Sequence, residues 1–131
     1  MQWLLIGSSV FLLASLLLAW LSTAVRIFRV ESLKNRFPAH DNLVKAHIDY
    51  LLMALLLIAY YLVGDTLDIE FPGWVIAMML LGGAVNPYTF IIVAMSKPKE
   101  FQPGMPFKVM MMLSFIATTL GFAAAAVLVL L

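Results

Sequence analysis

A chain of 131 residues that is 64% hydrophobic and 11% charged, with a mean hydropathy of +1.04, exceeds what a water-soluble surface allows. Eight basic and seven acidic residues leave a net charge of +1, which gives no basis for nucleic-acid binding, and the absence of cysteine excludes disulfides and thiol chemistry. The sequence predicts an all-α integral membrane protein, a four-helix bundle.

The first apolar stretch covers about 3 to 24, near the roughly 20 residues a helix needs to cross a bilayer. A cleaved signal peptide is the competing assignment, since Ser22, Thr23 and Ala24 close the stretch. Its apolar run is too long for one and no basic residue precedes it, so the segment is expected to be retained. A basic connection follows, with Arg26, Arg29, Lys34, Arg36 and Lys45. The second span, about 46 to 63, is the shortest and crosses only if Lys45 and Asp65 sit at the interface. "GDTLDIEFPG" comes next and carries Asp65, Asp68 and Glu70. The third span runs from about 74 to 95; Lys97, Lys99 and Lys108 flank the connection to the fourth, about 107 to 131. All eight basic residues thus fall on two connections, and the positive-inside bias predicts both termini outside and those connections in the cytoplasm, in a bacterial inner membrane. The basic loops read as topology signals and contacts with anionic lipid. Four helices cannot bury this much apolar surface among themselves, which predicts a homo-oligomer.

Five prolines lie in connections or at helix starts, where a missing N–H costs little. Pro87 does not. It interrupts the third span in "LLGGAVNPYTF", where Asn86, Tyr88 and Thr89 are the polar groups at hand. Gly82 and Gly83, one turn earlier, let a neighbour approach the backbone, either another helix or a bound group. At the head of the second span, "KAHIDYLLM" places His47 and Asp49 two positions apart, with Tyr50 and Ala54 continuing the His47 stripe. An ionisable residue at membrane depth raises a functional hypothesis. The structural alternative is an interfacial His47 bonded to a carbonyl, with Asp49 paired to Lys45 or to an arginine of the same loop. Zinc or copper would want three or four donors at a recognisable spacing, and the two histidines and scattered acids do not supply it. Haem needs one protein ligand, leaving a coordination position open.

The order of four spans, "AHIDYLLMALLL" at the second, the Gly-rich third with Asn86, and "KPKEFQPGMP" before the fourth resemble the small membrane isomerases comprising styrene oxide isomerase and hydroxylaminobenzene mutase. The resemblance implies ferric haem b held by His47, with Tyr50, Gly82 and Gly83 around the cofactor and Asn86 and Tyr88 as the catalytic pair. It implies the rearrangement of an apolar aromatic epoxide to an aldehyde, or of an aryl hydroxylamine, with substrate drawn from the lipid bilayer and a trimer as the assembly. Two positions depart from the family: Met53 stands where its asparagine does, and Ala54 where its glycine does. The alternative expectation is a non-catalytic accessory subunit whose polar groups only hold helices together.

Overall fold

In the computed structural model, residues 1–96 and 104–131 are described; Lys97, Pro98, Lys99 and Pro103, and with them most of the "KPKEFQPGMP" motif, lie outside the described residues. Among the described residues five helices follow one another: α1 (Gln2–Arg26), α2 (Glu31–Arg36), α3 (Asp41–Leu67), α4 (Gly73–Ala94) and α5 (Met105–Leu130). Four of them, α1, α3, α4 and α5, are long and apolar enough to cross a membrane, so the chain is a multi-pass membrane protein. Trp3, Trp20 and Trp74 are all exposed and sit toward span ends, as amphipathic rings at the headgroup level do.

Lipid tails are as apolar as leucine, so these helices associate through close packing and hydrogen bonds rather than through hydrophobicity. The sequence supplies small residues where that requires them. On α1 the buried positions Leu4, Ser8, Phe11, Ser15, Leu18, Ser22 and Val25 form one stripe of three- and four-residue steps. That stripe meets α3, whose buried Leu43, Ala46, Tyr50, Met53, Ala54 and Leu57 face it and α4. Between α4 and α5 the approach is closest: a Cβ on Gly82 would lie 2.8 Å from the Thr118 backbone, and one on Gly121 would lie 2.8 Å from the Met79 amide. The spans pack mainly α1 on α3, α3 on α4, and α4 on α5; α1 also touches α4, as Phe11 does at Gly83, α3 touches α5, and α1 and α5 are out of contact among the described residues.

Helix ends follow local chemistry. Asp68 closes α3 in the left-handed region at φ 55°, a conformation that aspartate tolerates, and the Gly64 carbonyl accepts the amide hydrogens of Asp68 and Ile69. Pro72 precedes α4 and Pro106 occupies the first turn of α5, where no amide hydrogen is needed. At the other end, the Ala39 amide donates to the Ala94 carbonyl, tying the basic connection to the end of α4. Helix α3 begins at Asp41, five residues before the apolar stretch, and α2 forms where the sequence suggested only a connection.

Candidate functional site

Helix α3 carries its two ionisable groups on different sides, since a two-residue step turns the helix so that His47 and Asp49 point about 160° apart. His47 faces α1. Its Nδ1 lies 2.8 Å from the carbonyl oxygen of Ser15 and 2.8 Å from the Ser15 Oγ, and that hydroxyl lies 3.0 Å from the His47 carbonyl. One assignment satisfies every group: Nδ1–H donates to the Ser15 carbonyl and the Ser15 hydroxyl donates to the His47 carbonyl, which in a neutral ring puts the lone pair on Nε2. Nε2 has no hydrogen bond among the described residues. An imidazole held through Nδ1 by a carbonyl, with Nε2 free, has the donor arrangement of a metal-ligating histidine. The other histidine, His40, differs: its Nδ1 is buried without a partner and its Nε2 stands 3.8 Å from Asp41 Oδ1.

Asp49 faces the opposite way, into an open-sided cavity of about 540 Å³ between α3, α4 and the first half of α5. Phe90, Val93, Phe107, Met111 and Phe115 form its apolar walls, and Asp49, Asn86, Thr89 and Lys108 its polar positions. Asp49 is half-buried and makes no hydrogen bond or ion pair among the described residues. The pairing with Lys45 or an arginine of the basic connection is absent. Lys45 precedes Asp49 by one turn, the less favourable order for a charge pair on a helix, and its exposed side chain stays in solvent.

Asn86 sits at the join of α4 and α5. Its Oδ1 accepts a 2.6 Å bond from the Ser114 hydroxyl and its Nδ2 donates at 3.2 Å to Thr118 Oγ1, which in turn donates to the Ser114 carbonyl. Two of the groups that a membrane-depth carboxamide must satisfy are thereby met, and one amide hydrogen remains for the cavity. Nearby, Thr89 donates to the Asn86 carbonyl at 2.6 Å, and Tyr50 donates to the Ala84 carbonyl at 2.9 Å. Both bonds land in the turn around Pro87, whose ring is fully buried and which supplies no amide hydrogen of its own.

The residues singled out from the sequence do not converge on one spot in a single chain. Tyr50 is buried against Phe11, with ring centroids 5.6 Å apart, and its hydroxyl is engaged by α4. Gly82 is covered by Thr118, and Gly83 by the Phe11 ring and Met53. Of the two occupants the sequence allowed beside these glycines, another helix or a bound group, helices fill the space within one chain. Tyr88 is half exposed and lies outside the cavity that Asn86 lines. Two participants were missed. Ser15 fixes the imidazole, and Ser8, which donates to the Ala54 carbonyl at 2.8 Å, belongs to the same series of serines, Ser8, Ser15 and Ser22, at seven-residue intervals. That interval was visible in the sequence as one polar position per two turns on a single face. Among the described residues no group of three or more His, Asp or Glu side chains is arranged to hold a metal ion. Searches of protein families, of curated proteins and of solved structures found no match to this chain.

Proposed function

We propose that this chain is a haem b-dependent membrane isomerase of the styrene oxide isomerase and hydroxylaminobenzene mutase type, acting on an apolar aromatic epoxide or an aryl hydroxylamine. The observation that supports the reading best is the Ser15–His47 pair: an imidazole in a membrane span, clamped through Nδ1 and free at Nε2. That donor set fits a group that asks one ligand of the protein. Haem b, when bound, supplies an open ferric iron that acts as a Lewis acid toward the substrate oxygen.

The chain's own residues then have separate tasks. Ser15 holds His47 in one tautomer and orientation, which keeps the ligand nitrogen aimed. The remaining amide hydrogen of Asn86 is available to a substrate oxygen as charge develops on it, a contact worth up to about a hundred-fold in rate. Phe90, Phe107 and Phe115 offer a wall to an aromatic ring arriving from the bilayer. In this reading the termini face outward from a bacterial inner membrane, the basic connections face the cytoplasm, and the working unit is a homo-oligomer, with a trimer favoured by the family likeness.

A second reading, a non-catalytic accessory subunit, draws support from the internal engagement of Tyr50 and Asn86, whose bonds join helices. The absorbance of protein purified with haem supplied separates the two. The isomerase reading expects a Soret band that His47→Ala abolishes or severely weakens and His40→Ala leaves intact. A colourless wild-type protein, or a His47→Ala variant with an unaltered spectrum, favours the accessory subunit.

A further inference from the structure

The cavity that Asn86 lines also holds Asp49, whose carboxylate calls for a cation that an apolar epoxide does not supply, so a cationic ligand and that substrate would compete for one space. The Asp49 carboxylate sits about one turn inside the apolar part of α3, half-buried, with neither a hydrogen bond nor an ion pair among the described residues. An ionised carboxylate in a medium poor in water is costly unless a donor or a cation meets it. Asn86 and Thr89, which share the cavity, direct their bonds toward α5 and toward the turn at Pro87, and neither reaches Asp49. Lys108 lines the same cavity from the first turn of α5, yet its exposed ammonium stays beyond ion-pair distance of Asp49.

What remains is an unpaired carboxylate at the polar end of a space walled by Phe90, Phe107 and Phe115. Its volume, about 540 Å³, is ample for one aromatic ring and a short side chain. Aromatic walls suit a ligand ring through stacking and suit an ammonium through the negative faces of their π-systems, while the carboxylate accepts charge-assisted hydrogen bonds. A neutral hydrocarbon would leave Asp49 uncompensated, and an anion would face it directly. We propose that the Asp49 cavity is a binding site for protonated aromatic amines that partition into the bilayer, with Asp49 as their counter-ion and Lys108 as an intramolecular competitor for the same carboxylate. The site is built by α3, α4 and α5 and does not involve His47, so it stands whether or not the chain binds haem.

The test uses the full chain in lipid nanodiscs and follows the fluorine resonance of 2-(4-fluorophenyl)ethylamine, with empty nanodiscs as the reference for partition into lipid. Saturable broadening is expected for the wild type, together with a loss of affinity of about tenfold or more in Asp49→Asn, the scale of one lost charge-assisted contact. Asp49→Glu should restore most of the binding. Lys108→Met should tighten it. The neutral counterpart 2-(4-fluorophenyl)ethanol should bind weakly and equally to the wild type and to Asp49→Asn. Circular dichroism identical to wild type verifies that each variant is folded. Binding no stronger than to empty nanodiscs, an Asp49→Asn variant with wild-type affinity, or a Lys108→Met variant that binds more weakly would each overturn the proposal.

Discussion

Gly82→Ala tests whether the glycine pair of α4 serves helix packing or makes room for a bound group. The added Cβ would fall 2.8 Å from both the Cα and the amide nitrogen of Thr118, whereas ordinary van der Waals contact begins near 3.4 Å. The neighbour is backbone and cannot rotate away, so α4 and α5 must separate locally by about 0.6 Å. A gap of that size forfeits roughly a quarter to a half of the dispersion attraction between the atoms drawn apart. It also lengthens the 3.2 Å bond from Asn86 to Thr118 and disturbs the 2.6 Å bond from Ser114. Overpacking of this kind costs about 1 to 3 kcal/mol. Backbone that cannot yield puts the cost at the upper end of that range, and the better helix propensity of alanine returns about 1 kcal/mol, which leaves a net loss of about 2 kcal/mol. Gly83→Ala should cost less, because its nearest neighbour is the far edge of the Phe11 ring at 2.8 Å, a side chain that can shift. Gly73→Ala is the control, with nothing within 4 Å of the added atom. Reversible unfolding in mixed micelles, followed by tryptophan fluorescence, ranks the three variants. A Gly82→Ala protein as stable as Gly73→Ala would refute the argument, because α4 and α5 would then have room to spare.

Ser15→Ala keeps the carbonyl that receives Nδ1–H and should leave haem occupancy near wild type; Ser15→Leu drives a bulky group against the imidazole and should lower the Soret absorbance severely while the circular dichroism stays unchanged. Tyr50→Phe removes the bond to the Ala84 carbonyl and should lower stability by about 0.6 to 1.7 kcal/mol, the measured range for interhelical hydrogen bonds in membranes; no change in the unfolding midpoint would assign that carbonyl another partner. The chain contains no cysteine, so single-cysteine variants at Ser32 and Asp68 can be labelled without background. An impermeant reagent applied to intact cells should label position 68 and spare position 32, and the reverse pattern would invert the proposed topology.

Sequence showed the spans and concealed their contacts, for physical reasons that differ from place to place. The apolar runs gave α1, α4 and α5 to within a few residues, because a bilayer selects on hydropathy over a fixed length. Hydropathy missed the first turn of α3, where Asp41, Asn42 and Lys45 are polar; a carboxylate in a first turn favours a helix electrostatically, and that effect does not depend on apolarity. Small residues had two meanings that sequence could not separate. Gly82 and Gly83 invite close approach, and only the positions of Thr118 and Phe11 assign it to helices. A carboxamide at the depth of Asn86 needs partners, and Ser114 and Thr118, four residues apart on another helix, cannot be identified from spacing within α4. The serines of α1 were overlooked although their interval was regular. Serine is so ordinary in packed membrane helices that only the His47 ring opposite gives Ser15 a distinct role.

The two sides of α3 impose a constraint on any mechanism that uses both. His47 meets α1, Asp49 and Asn86 look into the cavity of α3, α4 and α5, and α1 and α5 are out of contact among the described residues. A group on Nε2 of His47 and a substrate touching Asn86 in the same chain would be separated by the body of α3. Chemistry that joins them therefore needs Nε2 of His47 in one copy to meet the cavity face of another. The consequence is measurable by complementation. A His47→Ala chain and an Asn86→Ala chain should each be impaired alone, yet mixed oligomers of the two should contain some junctions in which an intact His47 meets an intact Asn86. Co-expression from two tagged genes, tandem purification of the mixed species and an isomerisation assay would show activity above either variant by itself. Mixed oligomers no more active than the better of the two variants would place both residues' work within one chain, against the geometry of α3.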